Sequence, residues 1–172
     1  MIGTIAKSLG RFNEIAQKNG FPFRLDSVSA EKLIFAIGWH ESGQWKYTEQ
    51  INGPAVSYLQ IEPATIYDIC DYVENRSKYG KSLKAAMKDF GVPEHGSQIV
   101  ELLKDPQAFD IAVLLCRIKL LMDTSSLPSY DDSTGLAVYA KRVWNSSLGK
   151  AKVNDYYSGC VQYDHIVMGG MG

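Results

Sequence analysis

The stretch "PQAFDIAVLLCRIKLLM", residues 106–122, decides the fold class of this chain. It is the most apolar segment of helical length, and it opens on Pro106, a residue favoured in the first turn of a helix. It contains more apolar residues than one buried face of a helix can hold. We therefore predict that this segment forms the central helix of the protein.

Helical spacing of apolar residues extends to both sides of this segment. A first helix is predicted from the N-terminus to about Gly20, and a second helix, capped by Ser29, runs toward Glu41. Further helices are predicted from Pro63, around 83–90, around 98–103, and over 133–145 with Ser133 as the cap. The tail at 165–172 is predicted to be loose. Because no alternating strand pattern of any length occurs, the expected fold is mainly α with little or no β-sheet.

Length and composition limit the possible classes of protein. A chain of 172 residues with 45% hydrophobic and 22% charged residues is typical of a soluble globular protein, and we expect one domain over 1–172. The net charge of −1 gives no support for nucleic-acid binding. The first twenty residues lack the hydrophobic core of a signal peptide, and no apolar stretch has the length that membrane insertion requires. The three widely spaced cysteines predict free thiols.

The run "WHESGQW", residues 39–45, places a carboxylate on an apolar helix stripe. Leu33, Ile37 and Glu41 are spaced four residues apart, so Glu41 lies on the buried face of the second helix. It also falls in the last turn, where the helix dipole opposes a negative charge. Burial and the dipole would both raise its pKa, as a general acid requires. The alternative is a helix-end glutamate that is simply exposed to water.

A metal site is not expected in this sequence. His40 and Glu41 begin like the zinc motif H-E-x-x-H, but residue 44 is Gln, so the second histidine is missing. His95 and His165 are isolated. We therefore expect neither a metal nor a cofactor.

Three motifs resemble those of a known enzyme family. The run "GPAVSYLQIEPATIYDI", residues 53–69, resembles the "GxxGLMQIxPAT" signature of lytic transglycosylases and keeps its Gln, Ile, Pro, Ala and Thr. "ESG" at 41–43 resembles the family's catalytic Glu-Ser, and "VWNSSLGKA" at 143–151 resembles "AYNAGPGKV". The resemblance is strongest to phage-encoded members, which tend to carry "GPALG(Y/L)xQxEPATxxDI" and "YNTPLGKG".

The resemblance implies a goose-type lysozyme-like fold and an enzyme that cleaves peptidoglycan between N-acetylmuramic acid and N-acetylglucosamine. Glu41 would be the single catalytic residue, acting first as acid and then as base. The residues expected to contact the glycan strand are Ser42, Ser57, Tyr58, Gln60, Tyr139, Trp144 and Asn145. It further implies a place in a phage virion among other virion proteins, or delivery to the host periplasm or cell wall by other means than a signal peptide.

The chain departs from the family at two positions. Ser57 stands where the family has glycine, which predicts a backbone that avoids the left-handed region there. Trp144 replaces a tyrosine whose hydroxyl lies near the catalytic glutamate in the family. An indole offers only an N–H donor, and Tyr139, one turn earlier, could compensate.

Two other functions remain open at this point. The first is a hydrolytic lysozyme that uses a second carboxylate, with Glu49, Glu62 or Asp68 as the candidates. Of these, Glu62 is expected to cap or charge the N-terminus of the helix that begins at Pro63. The second is a virion component that binds glycan without cleaving it.

Overall fold

The computed structural model of the chain describes residues 1–50, 53–145 and 149–169. Its α-helices are α1 (Ile2–Lys18), α2 (Val28–Glu41), α3 (Pro63–Asp71), α4 (Gly80–Phe90), α5 (Gly96–Leu102), α6 (Phe109–Leu121), α7 (Ser133–Ala140) and α8 (Val153–Gly169). A π-helical turn follows α3 at Tyr72–Arg76, another follows α7 at Lys141–Asn145, and a 3-10 turn at Pro106–Ala108 precedes α6. Helices make up 66% of the structure, and the described residues contain no strand, so the predicted mainly α class is confirmed.

The central position of α6 agrees with its apolar sequence. Ten of its 13 residues are buried, and it packs against α1, α2 and α3 and against the turn at Lys141–Asn145. One continuous hydrophobic core contains residues of α1 through α8. None of the helices in the described ranges is long and apolar enough to cross a membrane.

Two predicted helix caps are wrong by one or two residues. α2 is capped by Ser27, not Ser29, and the Ser27 side chain accepts a hydrogen bond from the backbone N–H of Ala30. α7 is capped by Asp132, not Ser133, through a bond of 2.7 Å from the N–H of Gly135. In both cases the side-chain oxygen accepts from the N–H three residues later, a donor that the helix itself leaves free.

Helix α8 was not predicted, and the expectation of a loose tail is wrong for residues 165–169. The buried residues Tyr156, Gly159, Cys160 and Tyr163 have the helical spacing i, i+3, i+4, i+7, but tyrosine and glycine are weak indicators of a buried face. α8 packs on α2 and α7. A Cβ atom at Gly159 would lie 2.7 Å from the Cα of Ala36, so glycine is what allows α8 to approach α2 this closely.

An ion pair with tyrosine partners also joins α2 to α8. The ammonium of Lys32, only 1% exposed, lies 2.7 Å from the Asp164 carboxylate and 3.0 Å from the backbone oxygen of Tyr130. The hydroxyl of Tyr130 donates to the same carboxylate at 3.0 Å. These bonds satisfy a buried charge and fix the alignment of the two helices.

Candidate active site

Glu41 is the last residue of α2, and the next residue turns the chain away from the helix. Ser42 is fully buried: its hydroxyl donates to the backbone oxygen of Gly38 at 2.6 Å and accepts from the N–H of Trp45 at 2.9 Å. A side chain in this position supports the helix end and offers no surface to a ligand. The expectation that Ser42 contacts substrate is therefore corrected, and its role is structural.

The connection between α2 and α3 has an unusual backbone. The non-glycine residues with positive φ in the described ranges all belong to it, namely Gln44, Trp45, Ser57 and Gln60. Short antiparallel bridges pair Val56 with Glu49 and with Ile61. Left-handed backbone at such residues costs of order 1–2 kcal/mol each and is tolerated only where the surroundings impose it. Such strain is often found near functional sites.

Ser57 adopts the conformation that the sequence argument excluded. Its φ is 67°, so the loop has a left-handed residue at the position where the family that the sequence resembles has glycine. The Ser57 hydroxyl accepts from the N–H of Leu59 at 3.2 Å, and its backbone oxygen accepts from the side chain of Gln60 at 2.9 Å. Because Ser57 is only 4% exposed, it shapes the loop instead of contacting a ligand, and that assignment is corrected too.

A cleft of about 480 Å³ opens beside Glu41. One wall comes from the start of α3, and the other comes from the turn after α7 and the chain beyond it. The residues that line it are Glu41, Gln60, Ile61, Glu62, Thr65, Lys119, Val143, Trp144, Asn145 and Gly149. Four of the predicted site residues, Glu41, Gln60, Trp144 and Asn145, therefore meet in one cleft from three separate parts of the sequence.

Glu41 has a hydrogen-bond partner that the sequence analysis missed. The hydroxyl of Tyr156, on α8, donates to Oε1 of Glu41 at 2.7 Å. Burial raises the pKa of Glu41, and the nearby charge of Glu62 raises it further, whereas the Tyr156 bond and the neighbouring His40 lower it. The net shift of the Glu41 pKa is upward, in the direction that the sequence predicted.

Tyr156 places a hydroxyl against Glu41, a group that the indole of Trp144 lacks. Its side chain is fully buried, its pKa is raised by burial and by the Glu41 carboxylate, and its ring meets the His40 ring edge-on at 5.0 Å. Tyr139, which was expected to compensate, lies in the core and donates to the backbone oxygen of Leu120 at 2.8 Å. Tyr139 is only 3% exposed, so its assignment to substrate contact is corrected.

Asn145 is held by a lysine of the same turn. The ammonium of Lys141 donates to Oδ1 of Asn145 and to the backbone oxygen of Gly149, both at 2.8 Å. Trp144 is partly buried and belongs to the cleft lining. Ser146, Ser147 and Leu148, which belong to the predicted third motif, lie outside the described residues.

Tyr58 packs mainly against other aromatic residues. Its ring meets those of Trp45 and Phe109 edge-on at 6.2 and 5.8 Å, and it is partly buried against the core. The residues that line the Glu41 cleft do not include it. Core packing therefore describes Tyr58 better than direct substrate contact, and its assignment to substrate contact is corrected.

The three candidate second carboxylates have different surroundings. Glu62 lines the same cleft as Glu41 and is exposed. It stands at the N-cap position of α3, so its charge lies at the helix N-terminus as expected, but its side chain makes no cap hydrogen bond. Asp68 is paired with Lys119 at 3.0 Å and with Arg76. Glu49 is exposed in the connection before α3. Of the three, Glu62 is the one that shares the cleft.

Comparison of the chain with family models, with curated proteins and with solved structures gives no match. Within the described ranges, no group of three or more His, Cys, Asp or Glu side chains is placed to hold a metal ion. What the arrangement offers is a partly buried acid with a phenol donor, two side-chain amides on opposite walls and an indole face. These groups suit a neutral, hydroxyl- and amide-rich ligand such as a glycan.

Proposed function

We propose that the protein is a peptidoglycan lytic transglycosylase of lysozyme-like fold, with Glu41 as its catalytic acid and base. The observation that carries the proposal is the raised pKa of a partly buried carboxyl at the cleft between Gln60 and Asn145. The same cleft is lined by residues from all three motifs that resemble the lytic transglycosylase family, among them Glu41, Gln60 and Asn145. A general acid needs a pKa near the working pH, and burial raises the pKa of Glu41 in that direction.

The proposed reaction breaks the β-1,4 bond between N-acetylmuramic acid and N-acetylglucosamine. Protonated Glu41 gives its proton to the glycosidic oxygen as the bond from that oxygen to muramoyl C1 breaks. The muramoyl C6 oxygen then bonds to C1, and its proton passes to the Glu41 carboxylate. The enzyme returns to its starting state without consuming water, and the product ends in a 1,6-anhydro ring.

The cleft walls have groups for the remaining contacts. The side-chain amides of Gln60 and Asn145 can bond with glycan N-acetyl and hydroxyl groups, and Trp144 can pack on a sugar face. Because the C6 hydroxyl of the substrate is the nucleophile, this reaction needs only one carboxylate. A conventional glycosidase requires two.

The second candidate function is a hydrolytic lysozyme, and the position of Glu62 favours it. Glu62 lines the Glu41 cleft and is exposed, so it could activate a water molecule as the second carboxylate. Its products would carry a reducing-end sugar and one more water than the anhydro product. Analysis of the product therefore separates the two reactions.

The experiment is digestion of purified peptidoglycan followed by mass spectrometry of the fragments. We expect 1,6-anhydro ends from the unchanged protein and a loss of several orders of magnitude in Glu41→Gln. Glu14→Gln, at an exposed position of α1, is the matched control and should keep full activity. If the unchanged protein gives fragments with reducing-end sugars and Glu62→Gln does not, the protein is a hydrolytic lysozyme. Binding of peptidoglycan without cleavage by the unchanged protein would establish a glycan-binding component.

The proposed setting is a phage particle or lysis system that acts on the bacterial cell wall. Its support is the resemblance of residues 53–69 and 143–151 to phage-encoded members of the family. The partner is then the glycan strand, together with other virion proteins. Detection of the protein in purified particles by mass spectrometry tests this setting.

A further inference from the structure

A second cavity, of about 610 Å³, lies between the end of α3, the π-helical turn at Tyr72–Arg76, α4 and the loop that follows α4. It shares no lining residue with the Glu41 cleft. Its volume falls in the range of about 300–1,000 Å³ that pockets for small organic ligands have. The proposed reaction makes no use of this cavity, so the chemistry of its lining indicates what it could hold.

The floor of the cavity is apolar. Val73, Met87 and Val92 line it and are 4%, 8% and 7% exposed, whereas the charged side chains around them are exposed. Apolar groups that insert into a membrane have to protrude from the protein surface. Because these three side chains are recessed, they suit an apolar chain that enters the cavity and not the surface of a bilayer.

The edge of the cavity is charged. Lys81, Lys84 and Lys88 lie on one face of α4 and line it together with two glutamates. The ammonium of Lys84 lies 2.6 Å from the Glu74 carboxylate, and the charge of Glu94 also acts on it. Within the described part of the chain, Lys81 and Lys88 have no carboxylate within 4.0 Å. The lining therefore has an excess of positive charge and two unpaired ammonium groups.

An apolar floor beside unpaired ammonium groups is complementary to one class of small molecule. An apolar chain would cover the floor, and an anionic head group would accept charge-assisted hydrogen bonds from Lys81 or Lys88. A cation with the same chain would meet two like charges. A wholly polar anion would leave the apolar floor exposed to water.

We propose that this cavity binds a monomeric single-chain amphiphile with an anionic head group, such as a fatty acid. Its chain lies on Val73, Met87 and Val92, and its head group lies beside Lys81 or Lys88. The site is independent of the proposed function, since none of its residues belongs to the Glu41 cleft.

Cys70 makes occupancy of the cavity measurable. Its side chain lines the cavity and is partly buried, whereas the other two cysteines, Cys116 and Cys160, are fully buried. Iodoacetamide should therefore alkylate Cys70 first. Because burial and the charge of Glu74 raise the pKa of this thiol, the reaction is slow enough to follow by mass spectrometry.

The test compares the rate of Cys70 alkylation with and without decanoate, kept below its micelle concentration. We expect decanoate to slow the reaction in a saturable way, because only the empty cavity exposes the thiol. Decanoate should bind roughly tenfold tighter than octanoate, since each buried CH₂ group tightens binding about threefold to fourfold. Decyltrimethylammonium, which has the same chain and a positive head group, should not slow the reaction.

Variants test the charge and the volume of the site separately. Lys81→Glu combined with Lys88→Glu should weaken decanoate binding about tenfold or more. Lys7→Glu combined with Lys152→Glu is the matched control, because it changes the net charge equally at exposed lysines outside the cavity lining. It should leave decanoate binding within about twofold, since salt screens distant surface charges. Ala85→Phe, which fills the cavity, should abolish decanoate binding.

The proposal is overturned if decanoate does not slow alkylation, if decyltrimethylammonium slows it equally, or if the charge-reversed pair binds decanoate as well as the control pair does. Slowing by phosphatidylglycerol vesicles but not by decanoate would also overturn it, since the ligand would then be a membrane surface. If Ala85→Phe does not fold, the chain-length and head-group comparisons on the unchanged protein still decide. None of these measurements involves glycan cleavage, so their failure is distinct from a failure of the proposed function.

Discussion

The hydroxyl of Tyr156 lies 2.7 Å from a carboxylate oxygen of Glu41, although 115 residues separate them in the chain. Glu41 ends α2, and Tyr156 lies in the first turn of α8. The absence of a side chain at Gly159 lets α8 pack closely on Ala36 of α2, and the Lys32–Asp164 ion pair joins the same two helices. The environment of the proposed acid thus depends on how the last helix packs on the second.

Tyr156→Phe should lower activity and move its pH dependence. The variant loses a bond to a partly buried carboxyl, which corresponds to about a tenfold to hundredfold fall in kcat/KM. Because that bond lowers the pKa of Glu41, its loss should raise this pKa. The alkaline limb of the pH–activity profile, where Glu41 loses its proton, should therefore move to higher pH. Rates of wall lysis across pH measure both effects. Tyr163→Phe, which removes the α8 bond to Glu31 instead, should leave the alkaline limb in place.

Glu41→Gln should stabilise the fold at neutral and alkaline pH relative to the unchanged protein. The pKa of Glu41 is raised in the folded state from an ordinary value of 4.5, so its contribution to stability is present below that value and lost as the pH rises. The difference in Tm between the two proteins should therefore be small at pH 4 and grow toward pH 8. A difference that is larger at pH 4 would contradict the buried-acid interpretation.

Glu62→Gln should move the alkaline limb of the pH–activity profile to lower pH, opposite to the effect of Tyr156→Phe. The charge of Glu62 raises the pKa of Glu41, so its removal lowers that pKa and shifts the limb to lower pH. Because Glu62 is exposed, water screens the effect, and we expect less than about one unit. Activity at the optimum should stay within about tenfold, with 1,6-anhydro products. Glu49→Gln, an exposed residue outside the cleft lining, serves as the control.

Gly159→Ala should destabilise the protein and reduce activity together. The added Cβ would lie 2.7 Å from the Cα of Ala36 and 2.9 Å from its oxygen, so α8 must move away from α2. Overpacking of this kind costs about 1–3 kcal/mol in the free energy of unfolding, and the shift would separate Tyr156 from Glu41. Gly3→Ala is the control, since nothing lies within 4 Å of its Cβ position. Urea denaturation and wall lysis of both variants measure the difference.

The sequence by itself determined the helical class, the central helix and Glu41 as the proposed acid. Apolar spacing is a local property, so it identified α6 and placed Glu41 on a buried stripe without knowledge of the partner helices. The direction of the Glu41 pKa shift follows from the same spacing, because burial of a carboxyl always favours its neutral form. Gln60, Trp144 and Asn145 were likewise found from local motifs, and the fold brings them to one cleft.

Only the tertiary structure decided which hydroxyl meets Glu41 and which predicted contacts are structural. Tyr156 and Tyr139 are alike as residues, but one reaches the acid and the other bonds to α6, because helix packing sets where each side chain ends. Ser57 takes a positive φ against its own preference, since the surrounding loop imposes it. Such outcomes depend on contacts between distant parts of the chain, which no local pattern contains.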